Sequence, residues 1–198
     1  MIKILIPLSC YFLGAIPFSY IIVKLVKGID LRTVGSGNVG ATNAGRVLGK
    51  WGFISAFLLD MFKAFLPLLM LKNFFHYDMN FLLICALALI IGHTYTIFLS
   101  FKGGKGVATG LGIFLALSPK SIILALIVFL VMVSIFRMVS LGSVSAAITL
   151  LITVIFTESN ANFKIFTFII AVFVIYKHKD NIKRILNGTE KRIGEKVG

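Results

Sequence analysis

The stretch FLLICALALIIGHTYTIFLS, residues 81–100, carries no Asp, Glu, Lys or Arg, and it gives way at once to FKGGKGVATG, residues 101–110. A helix rising ~1.5 Å per residue needs about 20 apolar residues to cross a hydrocarbon core roughly 30 Å thick. Phe81 to Leu99 meets that length, so it reads as a membrane span closed by a loop of glycine and lysine. Working outward, comparable apolar runs lie at Ile2 to Val23, Trp51 to Leu71, Lys120 to Phe136, Val139 to Phe156 and Phe163 to Tyr176. The shorter run Val107 to Leu117 is counted as a seventh span, on the reading that its helix begins within the glycine-rich loop. The expected fold is an all-α integral membrane protein with seven transmembrane helices.

Composition points the same way. The chain is 59% hydrophobic and 14% charged with a mean hydropathy of +1.02, which excludes a water-soluble core. With no internal repeat and no long linker, residues 1–198 read as a single polytopic domain. The first apolar run lacks a small-residue cleavage site and is expected to be a retained span rather than a signal peptide. Cys10 and Cys85 lie inside apolar runs without a CxxC spacing, so they read as packing residues, and no metal or cofactor is expected.

A net charge of +13 would suggest nucleic acid in a soluble protein. Here the cations sit in short segments between spans, where anionic lipid head groups are the expected neighbours and nucleic acid is not. With seven spans, the segments Lys24 to Lys50, Ser100 to Lys105, Arg137 and Lys177 to Gly198 fall on one side and carry 5, 2, 1 and 7 Lys or Arg residues. The other side carries Lys3, Lys72, Lys120 and Lys164. The positive-inside rule then places the N-terminus outside and the C-terminus in the cytoplasm.

Two of the cationic segments have the makings of anion sites. The first contains Gly35-Ser36-Gly37-Asn38-Val39-Gly40-Ala41-Thr42-Asn43, with Arg46 three residues on. Its spelling matches GxGxxG, but that fingerprint works between a strand and a helix of a soluble sheet, and here it joins two membrane spans. What survives is physical: glycines bring backbone N–H groups close to an anion, while Ser36, Asn38, Thr42 and Asn43 offer directional hydrogen bonds. The second reads Lys102-Gly103-Gly104-Lys105-Gly106 at the start of an apolar helix, where first-turn amides and the helix dipole favour a phosphate and Lys105 adds a full charge. It is not a Walker A loop, because Gly106 stands where Ser or Thr is required. A third polar segment, His178-Lys179-Asp180-Asn181-Ile182-Lys183-Arg184 followed by Gly188-Thr189-Glu190, reads on its own as a juxtamembrane lipid anchor. Asp60 and Lys63, three apart within a span, share a helix face and are expected to pair, as a structural pair or as part of a polar pocket.

Taken together these residues closely resemble the bacterial acyl-phosphate:glycerol-3-phosphate acyltransferases of the PlsY type. The resemblance covers nearly the whole chain: Gly14-Ala15-Ile16-Pro17, the run from Ser36 to Arg46, Asp60-x-x-Lys63, Gly92-His93, Lys102 to Thr109, His178-x-x-Asn181-Ile182-x-Arg184 and Gly188-x-Glu190. Thr96 stands where the family usually has Pro, and Ala64 where a Gly is usual. The resemblance implies transfer of a fatty acyl group from acyl phosphate to the 1-hydroxyl of glycerol 3-phosphate. The products would be lysophosphatidic acid and phosphate, in the first committed step of phospholipid synthesis at the bacterial inner membrane, with the active site facing the cytoplasm. It implies catalytic roles for Ser36, Arg46, Lys105, His178 and Asn181. Substrate or phosphate contacts are expected from Gly37, Asn38, Thr42, Asn43, Lys102, Gly103, Gly104 and Gly106. A mixed anhydride is already activated, so positioning and oxyanion stabilisation can suffice; His178 remains a candidate general base, but the resemblance favours a phosphate oxygen of the substrate in that role. The rival reading is a transporter or flippase for an anionic metabolite or lipid, but such proteins usually bind near the midplane between repeated halves. No oligomeric state is read from the sequence.

Overall fold

The computed structural model describes residues 1–195, so the last three residues of the basic tail lie outside it. The described chain is all helix and turn. It divides into two compact units: one runs through Leu117 and the other starts at Ser118.

The first unit holds α1 (Ile2–Ala15), α2 (Phe18–Lys27), α3 (Ala41–Asn73), α4 (Met79–Thr94) and α5 (Val107–Leu117). The first expected span is broken. Pro17 has no N–H to continue a helix, and Ile16–Pro17 separates α1 from α2 although the apolar run passes through without a gap. The second span starts about ten residues before its apolar run, because α3 begins at Ala41 and carries on past Gly49, whose φ of 74° kinks it. Asp78 caps α4 by accepting from Phe81 N at 3.1 Å.

Helices here approach closely through small residues. A side chain at Gly14 would strike the Leu89 carbonyl, and one at Gly92 the Tyr11 carbonyl, so α1 and α4 pack backbone to backbone. Gly112 does the same for α5 against Met61 of α3. Thr96 donates to the Ala15 carbonyl at 2.6 Å and accepts from Phe98 N at 3.2 Å. It thereby ties the chain after α4 to the end of α1 and caps the short turn Ile97–Leu99.

The second unit holds α6 (Pro119–Phe136), α7 (Val139–Thr157), α8 (Ala161–Lys177) and α9 (Lys179–Leu186), with α7 packed against the other three. Pro119 opens α6 at a position where its missing N–H costs nothing, and Asn160 caps α8 through Phe163 N at 2.9 Å. Among the described residues five helical segments are long and apolar enough to cross a membrane, or six when α8 and α9, bent by 56°, are taken together. The segment Ile2–Lys27 counts as one of the five. The expected seventh, α5, has 11 residues, about 16 Å of helix, and does not extend into the glycine-rich loop. Gly106, at φ 85°, turns the chain immediately before it.

Candidate active site

In the first unit the two glycine-rich loops meet. The first is held from within by Asn43 on the opening turn of α3, which is 1% exposed. Its Oδ1 accepts from Ser36 N at 3.0 Å, and its Nδ2 donates to the carbonyls of Leu31 at 3.1 Å and Val34 at 3.0 Å. Both amide hydrogens are directed at the loop, which Asn43 holds from within. Gly35, at φ 63°, gives Asn43 Oδ1 the space that a side chain would fill. The loop leaves Ser36 exposed, with its Oγ 3.4 Å from Asn38 N, while Asn38 is half-buried. Thr42 and Arg46, four apart and half-buried, lie on one face of the first turns of α3.

The second loop is sewn to the end of α4. Gly103 N donates to the Thr94 carbonyl at 3.0 Å and Gly104 N to the His93 carbonyl at 3.2 Å. These two amides therefore have protein acceptors, while α5 opens at Val107, where first-turn amides have no intrahelical partner. Lys105 is half-buried, while Gly104 and Gly106 are buried. A side chain at Gly104 would meet the imidazole Nε2 of His93 and, at 2.7 Å, the carbonyl of Val39 in the first loop. Gly104 is thus where the two loops touch.

Beside this junction an open cleft of about 420 Å³ is lined by Asp30, Arg32, Thr33, Gly37, Asn38, Lys102 and Gly103. It draws on both loops. Asp30 accepts from Arg32 N at 2.9 Å and forms an ion pair with the Arg32 guanidinium at 2.6 Å. That side-chain bond, with the backbone bond behind it, holds the Asp30 carboxyl at about 2. Sequence reasoning counted Arg32 only as a charge. The available signal was the Asp30-x-Arg32 spacing directly before the glycine run.

Beneath the loops lies a buried polar centre. Asp60 and Lys63 pair at 2.7 Å, as expected. Lys63 Nζ also donates to the Ile16 carbonyl at 2.8 Å and lies 3.0 Å from His93 Nδ1. Ser19 donates to Asp60 Oδ2 at 3.0 Å, and Thr109 Oγ1 to the Asp60 carbonyl at 3.2 Å. Ser19 and His93 have no signature of this role in the sequence, since their partners stand 41 and 30 residues away.

In the second unit, His178 is buried at the bend between α8 and α9, its Nδ1 2.7 Å from the Val174 carbonyl. A carbonyl can only accept, so Nδ1 carries a proton. Asn181, also buried, donates through Nδ2 to Glu190 Oε1 at 2.6 Å. Ser140 of α7 donates to the same oxygen at 2.6 Å, and Arg184 Nε to Oε2 at 2.7 Å. Burial pushes the Glu190 carboxyl up, but the bonds from Ser140, Asn181 and Arg184 outweigh it and leave it below the usual glutamate range.

Comparison with known proteins gives this arrangement its family. The family described as Glycerol-3-phosphate acyltransferase matches residues 4–188, through both units. The protein named Glycerol-3-phosphate acyltransferase from Desulforamulus reducens is 42% identical, with 98% of this chain and 96% of the relative covered. Those from Fusobacterium nucleatum and Aquifex aeolicus are each 45% identical, covering 92% of this chain and 93% and 94% of their own. The crystal structure of PlsY (YgiH), an integral membrane glycerol 3-phosphate acyltransferase, in its glycerol 3-phosphate form superposes with a TM-score of 0.92 at 41% identity, covering 98% of this chain and 96% of that one. Its lysophosphatidic acid form gives 0.89 at 39% identity, with the same coverage. With its apolar helices, its paired glycine-rich loops and these full-length matches, the chain is a multi-pass membrane acyltransferase and belongs to the glycerol-3-phosphate acyltransferase family.

Proposed function

We propose that the protein transfers a fatty acyl group from acyl phosphate to the 1-hydroxyl of glycerol 3-phosphate, releasing phosphate and lysophosphatidic acid. The observation that carries this reading is the meeting of the two loops at Gly104, which sets Ser36, Asn38 and Arg46 in one unit with Lys102, Lys105 and Gly106. Two phosphorylated substrates call for such paired anion sites. The relatives' names and the glycerol 3-phosphate and lysophosphatidic acid forms of PlsY supply the acceptor and product.

In the proposed reaction the glycerol hydroxyl oxygen attacks the carbonyl carbon of the mixed anhydride, and negative charge gathers on the carbonyl oxygen. The bond from that carbon to the bridging phosphate oxygen then breaks, phosphate leaves, and the hydroxyl proton passes to a phosphate oxygen of a substrate. Lys105 and the amides at the start of α5 stabilise the phosphate charge. Arg46 and Ser36 contact the substrates from α3 and its loop, and catalytic roles for His178 and Asn181 rest on the family resemblance. Because the anhydride is activated, positioning supplies much of the rate: effective molarity is worth roughly 7 kcal/mol or more. The compact loop offers no adenine-recognition feature, so acyl-CoA should not replace acyl phosphate. Equal turnover of both donors by the purified protein would defeat the donor assignment.

We place the enzyme in the bacterial inner membrane with seven crossings, the N-terminus outside, and the active site and C-terminus in the cytoplasm. The asymmetry of Lys and Arg between segments supports this. The short α5 would then complete a crossing together with the loop before it. Cysteines introduced at Asn38, Lys105 and Asn187 should all be labelled from the cytoplasmic side, and exclusive labelling of any of them from outside would overturn the orientation.

A further inference from the structure

The ammonium of Lys63 has three hydrogens to donate and three acceptors around it: Asp60 Oδ1 at 2.7 Å, the Ile16 carbonyl at 2.8 Å and His93 Nδ1 at 3.0 Å. The Ile16 acceptor exists because Pro17 interrupts the first span. His93 Nδ1 faces the Lys63 ammonium and lies 3.7 Å from Asp60 Oδ1, and its Nε2 is the edge that lies against Gly104. His93 also supplies the carbonyl that takes the Gly104 amide, and Thr109 fastens the first turn of α5 to the Asp60 carbonyl. Two supports of the second loop, the Gly104 amide bond and the Thr109 tie, therefore pass through residues that hold Lys63. A buried ion pair contributes little net stability compared with apolar packing of similar volume, so stability alone does not account for this centre.

We infer that Lys63 and His93, with Asp60, are positioning residues of the reaction: the saturated ammonium fixes the imidazole, and the imidazole fixes the Gly104 backbone and with it the turn that presents Lys105. The inference rests on the proposal that this turn holds a substrate phosphate.

The test is a double-substitution cycle between His93 and Gly104, read on the purified protein in detergent by the KM for glycerol 3-phosphate and by kcat. It is paired with hydrogen exchange of residues 101–108. Gly104→Ala alone should raise KM by about tenfold or more, since the new methyl meets the ring. In a His93→Ala background the ring is gone and the same substitution should cost at most about a third as much, the Val39 carbonyl remaining as an obstacle. His93→Asn keeps an acceptor for Lys63 while withdrawing the far edge of the ring, and serves where the truncation does not fold. Both His93 variants should exchange the Gly103 and Gly104 amides at least about fivefold faster than the unsubstituted chain. Equal costs of Gly104→Ala in both backgrounds, or unchanged exchange in folded His93 variants, would overturn the inference. If the unsubstituted chain turns over no substrate, the proposed reaction falls, while the exchange measurement still decides whether His93 positions the loop.

Discussion

Two buried ionic centres anchor the two units, and they are chemical opposites. Lys63 is a cation surrounded by three acceptors inside α3, and Glu190 is a carboxylate surrounded by three donors beyond the end of α9. Each obeys the same rule, that a buried charge persists only when paired and fully hydrogen-bonded. They differ in what they join. Lys63 draws on a broken helix, a neighbouring turn of its own helix and an imidazole, and so shapes the loop packed against His93. Glu190 fastens the segment after α9 to Ser140 of α7 and to two residues of α9 itself. Lys63 is sealed, whereas the Arg184 partner of Glu190 is 41% exposed. The first centre should therefore be the costlier to break and the second the more sensitive to solvent.

The largest effect is expected from Lys63→Met, which leaves the buried Asp60 carboxylate without its ion-pair partner. Removing one partner of a buried pair costs about 3–5 kcal/mol, so the thermal midpoint in detergent should fall sharply. Replacing the pair together, Asp60→Leu with Lys63→Met, should recover much of that stability without recovering activity. A single variant as stable as the unsubstituted chain would mean that the sealed centre is not paired as described.

Next is Lys105, whose proposed role is to place charge on substrate rather than to close an internal network. Folded Lys105→Ala should lose ~2–4 kcal/mol of transition-state stabilisation, a rate loss of roughly 30- to 1000-fold. Arg should rescue it only partly, being planar and bulkier. Lys102→Ala, at the exposed rim of the cleft, should lose much less. The reverse order would assign the phosphate to the wrong lysine.

Glu190→Gln is expected to be milder, about 1–2 kcal/mol, because the amide keeps an acceptor for Ser140 and Asn181 and the lost Arg184 pair is screened by solvent. The pH dependence has a definite sign. Since the folded carboxyl lies below the ordinary glutamate value of 4.5, its contribution is complete above that value and is lost as pH falls through the folded one. Midpoints measured from pH 7 down to pH 3 should drop for the unsubstituted chain, and Glu190→Gln should narrow that drop by the Glu190 share. An identical acid profile for both would separate Glu190 from acid sensitivity.

Much of this architecture was legible in the chain, and the reasons for the gaps are physical. Spans such as α4 and α7 are written as long apolar runs, and the Asp60–Lys63 pair follows from helical spacing alone. The break at Pro17 was not legible, because the Ile16 carbonyl there is satisfied by Phe18 N together with the Lys63 ammonium, 47 residues away. Amide commitment at Gly103 and Gly104 depends on how α4 ends, which glycine content does not reveal. The same composition that suggested open phosphate donors also serves close backbone packing. Asn43 has the residue type of a ligand contact, and only the fold shows its amide turned inward. The role of Glu190 needed Ser140, which precedes it by 50 residues.

The most direct measurement is product stoichiometry: purified protein in detergent, supplied with acyl phosphate and labelled glycerol 3-phosphate, followed for free phosphate and for lipid-extractable label. The account predicts one lysophosphatidic acid formed per phosphate released, and no release without glycerol 3-phosphate. Phosphate release that is independent of glycerol 3-phosphate, or label that never enters the lipid fraction, would contradict it.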